Sequence, residues 1–272
     1  MPIRVVAIIQ ARMDSSRLPG KVLLDIAGKP MLVRVFARTS RSATVDQVLV
    51  ATTTDASDDP VAAYCESIGA PYARGGMHDV LDRYYQTAKG ANADVVVRIT
   101  ADCPVIDPVL VDDCVNTLLD GSFDFVCNRL PPPFTRTYPI GLDTEVCTFT
   151  ALEKAWNEAT ETFQREHVMP YLYEGVELSV LSDQLSAGVS ERFRIAQLHH
   201  VHDFGTYRWT VDTPEDLEFM RQVYARFDGR DDFSWQEVLD LVHSEPDLMK
   251  INASVKHKSL KEIDERTTHS AP

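Results

Sequence analysis

The chain has 272 residues, 44% hydrophobic and 25% charged, a balance that excludes a mostly disordered protein and suits one large α/β domain. A formal net charge of −14 argues against gripping a nucleic-acid backbone across the whole surface. Five cysteines (Cys65, Cys103, Cys114, Cys127 and Cys147), odd in number and without a CxxC pair, exclude a disulfide framework and point to a reducing cytoplasm. No run approaches the roughly 20 apolar residues of a spanning helix, so no membrane partner is expected.

Ile3–Ile9 is short, β-branched and apolar without alternation, which predicts a buried parallel strand. Helical spacing follows at Met31–Thr39, then a second strand at Gln47–Thr52. Asp59 is placed to cap a helix over Pro60–Ile68, and another helix is predicted at Val80–Ala91. A third strand at Asp94–Ile99 precedes a helix over Pro108–Leu119 behind Asp107, and Phe123–Cys127 reads as a weaker fourth strand. This alternation implies a mostly parallel sheet with helices on both faces, in which ligands sit beyond the strands' carboxyl ends.

The pattern then breaks. Pro131-Pro132-Pro133 leads to Tyr138-Pro139-Ile140-Gly141 and a short strand at Asp143–Cys147, read as a substrate or dimer lobe over about 128–175. A late strand, Tyr207–Val211, runs into Asp212-Thr213-Pro214, where Thr213 caps a helix with Asp216 bonding back. Ser234 to Glu237 forms another capping box, and the stretch 253–272 reads as a flexible tail behind a single domain of 1–252.

Charge is uneven. Through Thr54 there are eight basic residues against three acidic ones, a local positive field suited to a small anion such as a nucleotide. The loop after the first strand carries Arg12, Arg17 and Lys21, three cations able to neutralise a triphosphate, and Gly20 allows close backbone approach. It is neither GxGxxG nor GxxxxGK[ST]. Asp102 and Asp212 each follow a predicted strand, and two carboxylates from separate strand ends suit Mg²⁺, which keeps waters and binds phosphate oxygens. His199, His200, His202 and Asp203 make an incomplete zinc set.

Several motifs in order resemble the sugar-acid cytidylyltransferases, the CMP-KDO and CMP-N-acylneuraminate synthetases, and most of all their SpsF-type spore-coat polysaccharide branch. They are Ile8-Ile9-Gln10-Ala11-Arg12 through Arg17-Leu18-Pro19-Gly20-Lys21, then Asp79-Val80-Leu81-Asp82-Arg83 and Arg98-Ile99-Thr100-Ala101-Asp102-Cys103-Pro104. Tyr138-Pro139-Ile140-Gly141-Leu142-Asp143, Arg165-Glu166-His167-Val168 and Val211-Asp212-Thr213-Pro214-Glu215-Asp216 complete the series.

The resemblance implies a Rossmann-like nucleotide-diphospho-sugar transferase fold, a homodimer, and transfer of a cytidylyl group from CTP to a sugar acid with release of pyrophosphate. It places Gln10, Ala11, Arg12, Arg17, Lys21, Asp79 and Asp102 at the nucleotide and gives Asp102 and Asp212 the metal. Charge neutralisation would fall to Arg17, Lys21, Asp102 and Asp212 as the catalytic set. For the acceptor, Asn128, Tyr138, Asp143 and Glu145 offer hydrogen bonds, Arg165 or Arg208 a carboxylate partner, and Glu166 and His167 extend the cluster. Two alternatives stay open. A glycosyltransferase would usually show an Asp-x-Asp pair where Asp102 stands alone; Asp14, beside the phosphate loop, leaves room for a non-catalytic nucleotide-binding homologue.

Overall fold

A strand buried on both sides must be apolar on both, and β1 (Val5–Gln10) is: Val5, Ala7 and Ile9 enter one core, Val6 and Ile8 the other. The computed structural model describes residues 2–256. After β1 come a 3-10 turn (Lys21–Leu23), a tiny hairpin of β2 (Asp25–Ile26) and β3 (Lys29–Pro30), and α1 (Met31–Thr39). Then β4 (Gln47–Thr53), α2 (Asp59–Ser67), β5 (Tyr72–Gly75), α3 (Val80–Gly90), β6 (Val95–Thr100) and α4 (Pro108–Gly121) repeat the strand–helix alternation. Next are β7 (Phe125–Cys127), β8 (Glu145–Thr148), α5 (Phe149–Glu158), α6 (Thr162–His167) and α7 (Pro170–Tyr173). A meander of β9 (Glu177–Ser182), β10 (Leu185–Val189) and β11 (Arg194–Leu198) precedes α8 (Pro214–Arg226) and α9 (Trp235–Ser244).

The main sheet has nine strands in the order β5-β4-β1-β6-β8-β7-β11-β10-β9. Only β8 and β10 run against the others, so the expected mixed, mostly parallel sheet is present. Side chains of α1, α4 and α8 fill the core on one face, those of α3, α5 and α7 the core on the other.

The stretch 128–175, expected as a lobe, places β8 between β6 and β7 and lays α5 and α7 on the second face. Tyr207–Val211 is not a strand. It crosses the strand ends, held by a single parallel bridge of Ile140 with Arg208 and by Trp209 N to Ile140 O at 2.7 Å. Asp58, not Asp59, precedes α2 at the cap position, while Asp107 caps α4 as expected, accepting from Val109 N at 2.9 Å. Residues 257–272 of the predicted tail lie outside the described residues.

Candidate active site

The loop after β1 is pinned before it reaches Lys21. Ala11 N donates to Ala51 O at 3.1 Å, and Met13 N to the buried carboxylate of Asp58 at 2.6 Å. Gly20 closes the loop at φ +70° by donating to Met13 O at 2.8 Å, in the left-handed region that glycine enters without steric cost. Lys21 is thereby directed into the protein rather than out to water, and only 9% of it is exposed.

Its ammonium is held by three acceptors: Asp102 Oδ2 at 2.9 Å, Asp212 Oδ1 at 2.9 Å and Val211 O at 2.8 Å. Burial alone would lower the Lys21 pKa; the charges of Asp102 and Asp212 outweigh it and raise the value. Asp212 also pairs with Arg17 at 2.9 Å and Arg208 at 2.7 Å. Burial would push the Asp212 carboxyl up, but Lys21, Arg17 and Arg208 hold it well below the usual carboxylate range. The backbones that carry the two carboxylates are joined, Val211 N donating to Asp102 O at 2.9 Å, and the Asp102 carboxylate is oriented by Thr100 Oγ1, which donates to its Oδ1 at 2.6 Å.

The basic field expected in the first 54 residues divides. Arg34 and Arg38 are fully buried struts in α1, donating to carbonyls such as Ile26 O at 2.9 Å and Ile106 O at 2.8 Å. Arg17 and Lys21 stand at the strand ends, and the charge of Arg12 reaches buried Arg83. Gln10, at the end of β1, has a buried Oε1 without a hydrogen-bond partner. Asp14 is exposed.

Several expected ligand residues are engaged elsewhere. Asp79 caps α3 through Asp82 N at 2.9 Å and takes the Arg165 fork at 2.6 and 2.9 Å, so this pair braces α6 against α3. Asn128 is fully buried and spent on backbone, with Leu142 O at 2.7 Å and Thr144 N at 2.9 Å. Asp143 pairs with Arg136. Tyr138 lines a separate cleft of about 600 Å³ beside α4, with Asp113, Asp120 and His199. Arg208 belongs to the Asp212 cluster, where it also pairs with Asp216 at 2.9 Å. His199 meets Ser186 at 2.9 Å and His200 stacks edge-on with Trp235; among the described residues no group of three or more His, Cys, Asp or Glu converges for a metal.

A second cluster is gathered on the α3–α5–α7 face. Arg98 and Thr100 share one face of β6, about 7 Å apart along the strand. Arg98 pairs with Glu145, opposite it on β8, and its Nε is buried without a partner. Burial lowers the Arg98 pKa, but Glu145 more than restores it, so the net shift is upward. Arg98, Arg129 and Glu145 all act on His167 and Tyr173. Burial lowers the His167 pKa below its ordinary value and raises that of Tyr173. Arg129 is half-buried, and its guanidinium makes no hydrogen bond or ion pair among the described residues. Sequence reasoning named Glu145, Glu166 and His167 but missed Arg98, Arg129 and Tyr173. An arginine inside the run Val95-Val96-Val97-Arg98-Ile99 was the available signal, since a charge in a doubly buried strand requires a partner.

The chain is 35% identical over 262 residues to an uncharacterized protein of Methanocaldococcus jannaschii, covering 96% of this chain and all of that one. It is 30% identical over 256 residues to the spore coat polysaccharide biosynthesis protein SpsF of Bacillus subtilis, covering 89% and 95% of the two chains. A solved cytidylyltransferase structure from Leptospira borgpetersenii superposes with a TM-score of 0.81 at 31% identity, over 94% of this chain and 100% of that one. The cytidylyltransferase family profile matches residues 6–238, and the chain belongs to that family.

Proposed function

We propose that the protein transfers the cytidylyl group of CTP to a hydroxyl of a sugar acid, releasing pyrophosphate and forming a CMP-sugar for surface polysaccharide synthesis. The observation that carries this reading is the juxtaposition of two charge environments across Thr100: the Lys21–Asp102–Asp212 cluster and the Arg98–Arg129–Glu145–His167 cluster. The first suits a triphosphate, the second an anionic, hydroxyl-rich acceptor. The acceptor oxygen attacks the α-phosphorus in line, the bond to pyrophosphate breaks, and the hydroxyl's proton passes to water.

Arg17 and Lys21 neutralise charge moving onto the leaving pyrophosphate, and Gln10 Oε1 offers a buried acceptor to the nucleoside. Arg129 takes the acceptor's carboxylate, while Glu145 and His167 orient its hydroxyls. The donor set fits Mg²⁺: Asp102 and Asp212 are hard oxygen ligands that already share one cationic neighbour, Lys21 Nζ, at 2.9 Å each. Bound there, the ion would polarise phosphate oxygens and lower the attacking hydroxyl's pKa.

The glycosyltransferase alternative is disfavoured by the family match and by the single aspartate after β6. A homodimer is supported by edge strand β9, which presents Val180 and Leu181 at 77% and 62% exposure. No helix among the described residues is long and apolar enough to cross a membrane, and five buried free thiols support a reducing cytoplasm.

Pyrophosphate release from CTP with a panel of sugar acids and their neutral alcohols tests the reading. Acids are expected to react and neutral sugars not. Arg129→Met is expected to raise the acceptor KM about tenfold, the scale of one charge-assisted pair, and to leave the CTP KM unchanged. Equal turnover of neutral sugars, or release of a nucleoside diphosphate from a nucleotide sugar, refutes it.

A further inference from the structure

After α9 the chain passes through a 3-10 turn (Pro246–Lys250) and brings Asn252 back beneath the strand ends. Asn252 is 5% exposed, and its Nδ2 donates to Arg208 O and to Asp216 Oδ1, each at 3.0 Å. We infer that Asn252 is a positioning residue for Asp212, acting through Asp216 and Arg208; the inference rests on the role proposed above for Asp212.

Asp216 is fully buried in the first turn of α8. A capping box asks of it only the bond from Thr213 N, present at 3.1 Å. It accepts more than that: Arg208 Nε and Nη2 at 2.9 Å each, Asp212 N at 3.0 Å, and Asn252. Residue 212 is therefore held from both ends. Its backbone amide is tied to Asp216 Oδ2, and its carboxylate receives at 2.7 Å the same Arg208 Nη2 that Asp216 binds.

Because that nitrogen is shared, a turn of the Asp216 carboxylate is passed to the Asp212 carboxylate through a rigid guanidinium. Asn252 adds a restraint against that turn to the one Arg208 Nε already places on Oδ1. It occupies Asp216 Oδ1, the oxygen that makes no bond to the Asp212–Thr213 backbone, and it fixes the chain at Arg208 with the same amide group. Asp216 also draws on the Arg208 charge, which leaves Asp212 more of its own charge for a metal–phosphate ligand than an exclusive ion pair would. Outer residues that orient a metal ligand in this way typically govern metal affinity about as strongly as a tenfold to hundredfold change.

The test uses the full-length protein with CTP and Mn²⁺, no acceptor, and free Mn²⁺ read by electron paramagnetic resonance, alongside thermal melts and steady-state kinetics. Asn252→Leu, with Asn252→Ala as a second variant should the leucine not fold, is expected to weaken nucleotide-dependent Mn²⁺ binding about tenfold. It should lower kcat by a similar factor and leave the acceptor KM within about twofold. A folded variant with wild-type Mn²⁺ affinity and kcat, or one that loses melting temperature alone, overturns the inference. Asp212→Ala separates the two levels: if it binds Mn²⁺ as well as wild type, the role of Asp212 itself falls, whereas if it loses binding and Asn252→Leu does not, only Asn252 is exonerated.

Discussion

Lys21→Met removes the charge at the strand-end cluster while keeping an unbranched side chain one atom shorter. In wild type one ammonium lies 2.9 Å from an oxygen of Asp102 and 2.9 Å from an oxygen of Asp212. Without it the two carboxylates face each other. Two unit charges about 5 Å apart repel by about 3 kcal/mol at an effective dielectric near 20. Arg17 and Arg208 remain on Asp212 and offset part of this, so about 2 kcal/mol is the expected loss.

In a chain of this size that is a fall of roughly 4–8 °C in melting temperature. The raised Lys21 pKa makes its contribution fully present below the unfolded value and lost only as pH rises through the folded one, so the gap should be flat from about pH 6 to 9. Asp212 is the opposite case. Its depressed pKa contributes stability above the unfolded carboxylate value of about 4 that is lost as pH falls through the folded value. Removing Lys21 shrinks that depression, so the gap between variant and wild type should narrow in acid. Millimolar Mg²⁺ should raise the variant's midpoint by more than it raises wild type's, because a divalent ion can replace the missing positive charge. A variant that melts like wild type, or one that Mg²⁺ leaves unmoved, refutes the reasoning.

If Arg17, which stands on Asp212, meets the outer phosphates as proposed, Arg17→Ala is expected to weaken CTP binding about tenfold in calorimetry and CMP binding by less than about twofold; an equal loss for both refutes that role. Gly141→Ala should destabilise by about 3 kcal/mol or more and lower kcat, because φ is +107° and a Cβ would stand 2.5 Å from the carbonyl carbon of Trp209, next to Arg208. Melts and turnover check it, and a near-wild-type melt would show that the backbone can yield.

Strands β1, β4, β6 and β7 and helices α1 to α4 were legible because a period-free apolar run and an amphipathic run differ in local pattern alone, whereas the short β2–β3 hairpin and edge strand β5 went unread. Tyr207–Val211 was misread for the same reason: Trp209 and Val211 are buried and look strand-like, but they are covered from outside the sheet rather than paired within it. The β9–β11 meander went unread, its first strand being largely exposed and lacking a clean alternation. Arg17, Lys21, Asp102 and Asp212 were named from loop position and do converge, whereas Asp79, carried over from the resemblance, and Asn128 and Arg165, named from residue type, are bonded elsewhere, and Tyr138 lines a separate cleft.

By itself the amino-acid sequence determined the α/β class, the strand ends at which polar residues gather, and the family. Those properties follow from spacing over a few residues and from motifs read in order. Only the tertiary structure decided which charges are partners. Arg34 and Arg17 are indistinguishable as letters, yet one is an interior strut and the other stands on Asp212. Asn252 carries no local signal, because its bonds span 36 and 44 residues. A side chain's role is set by the groups that burial brings within about 3 Å of it, and over such separations that proximity is a property of the packed chain.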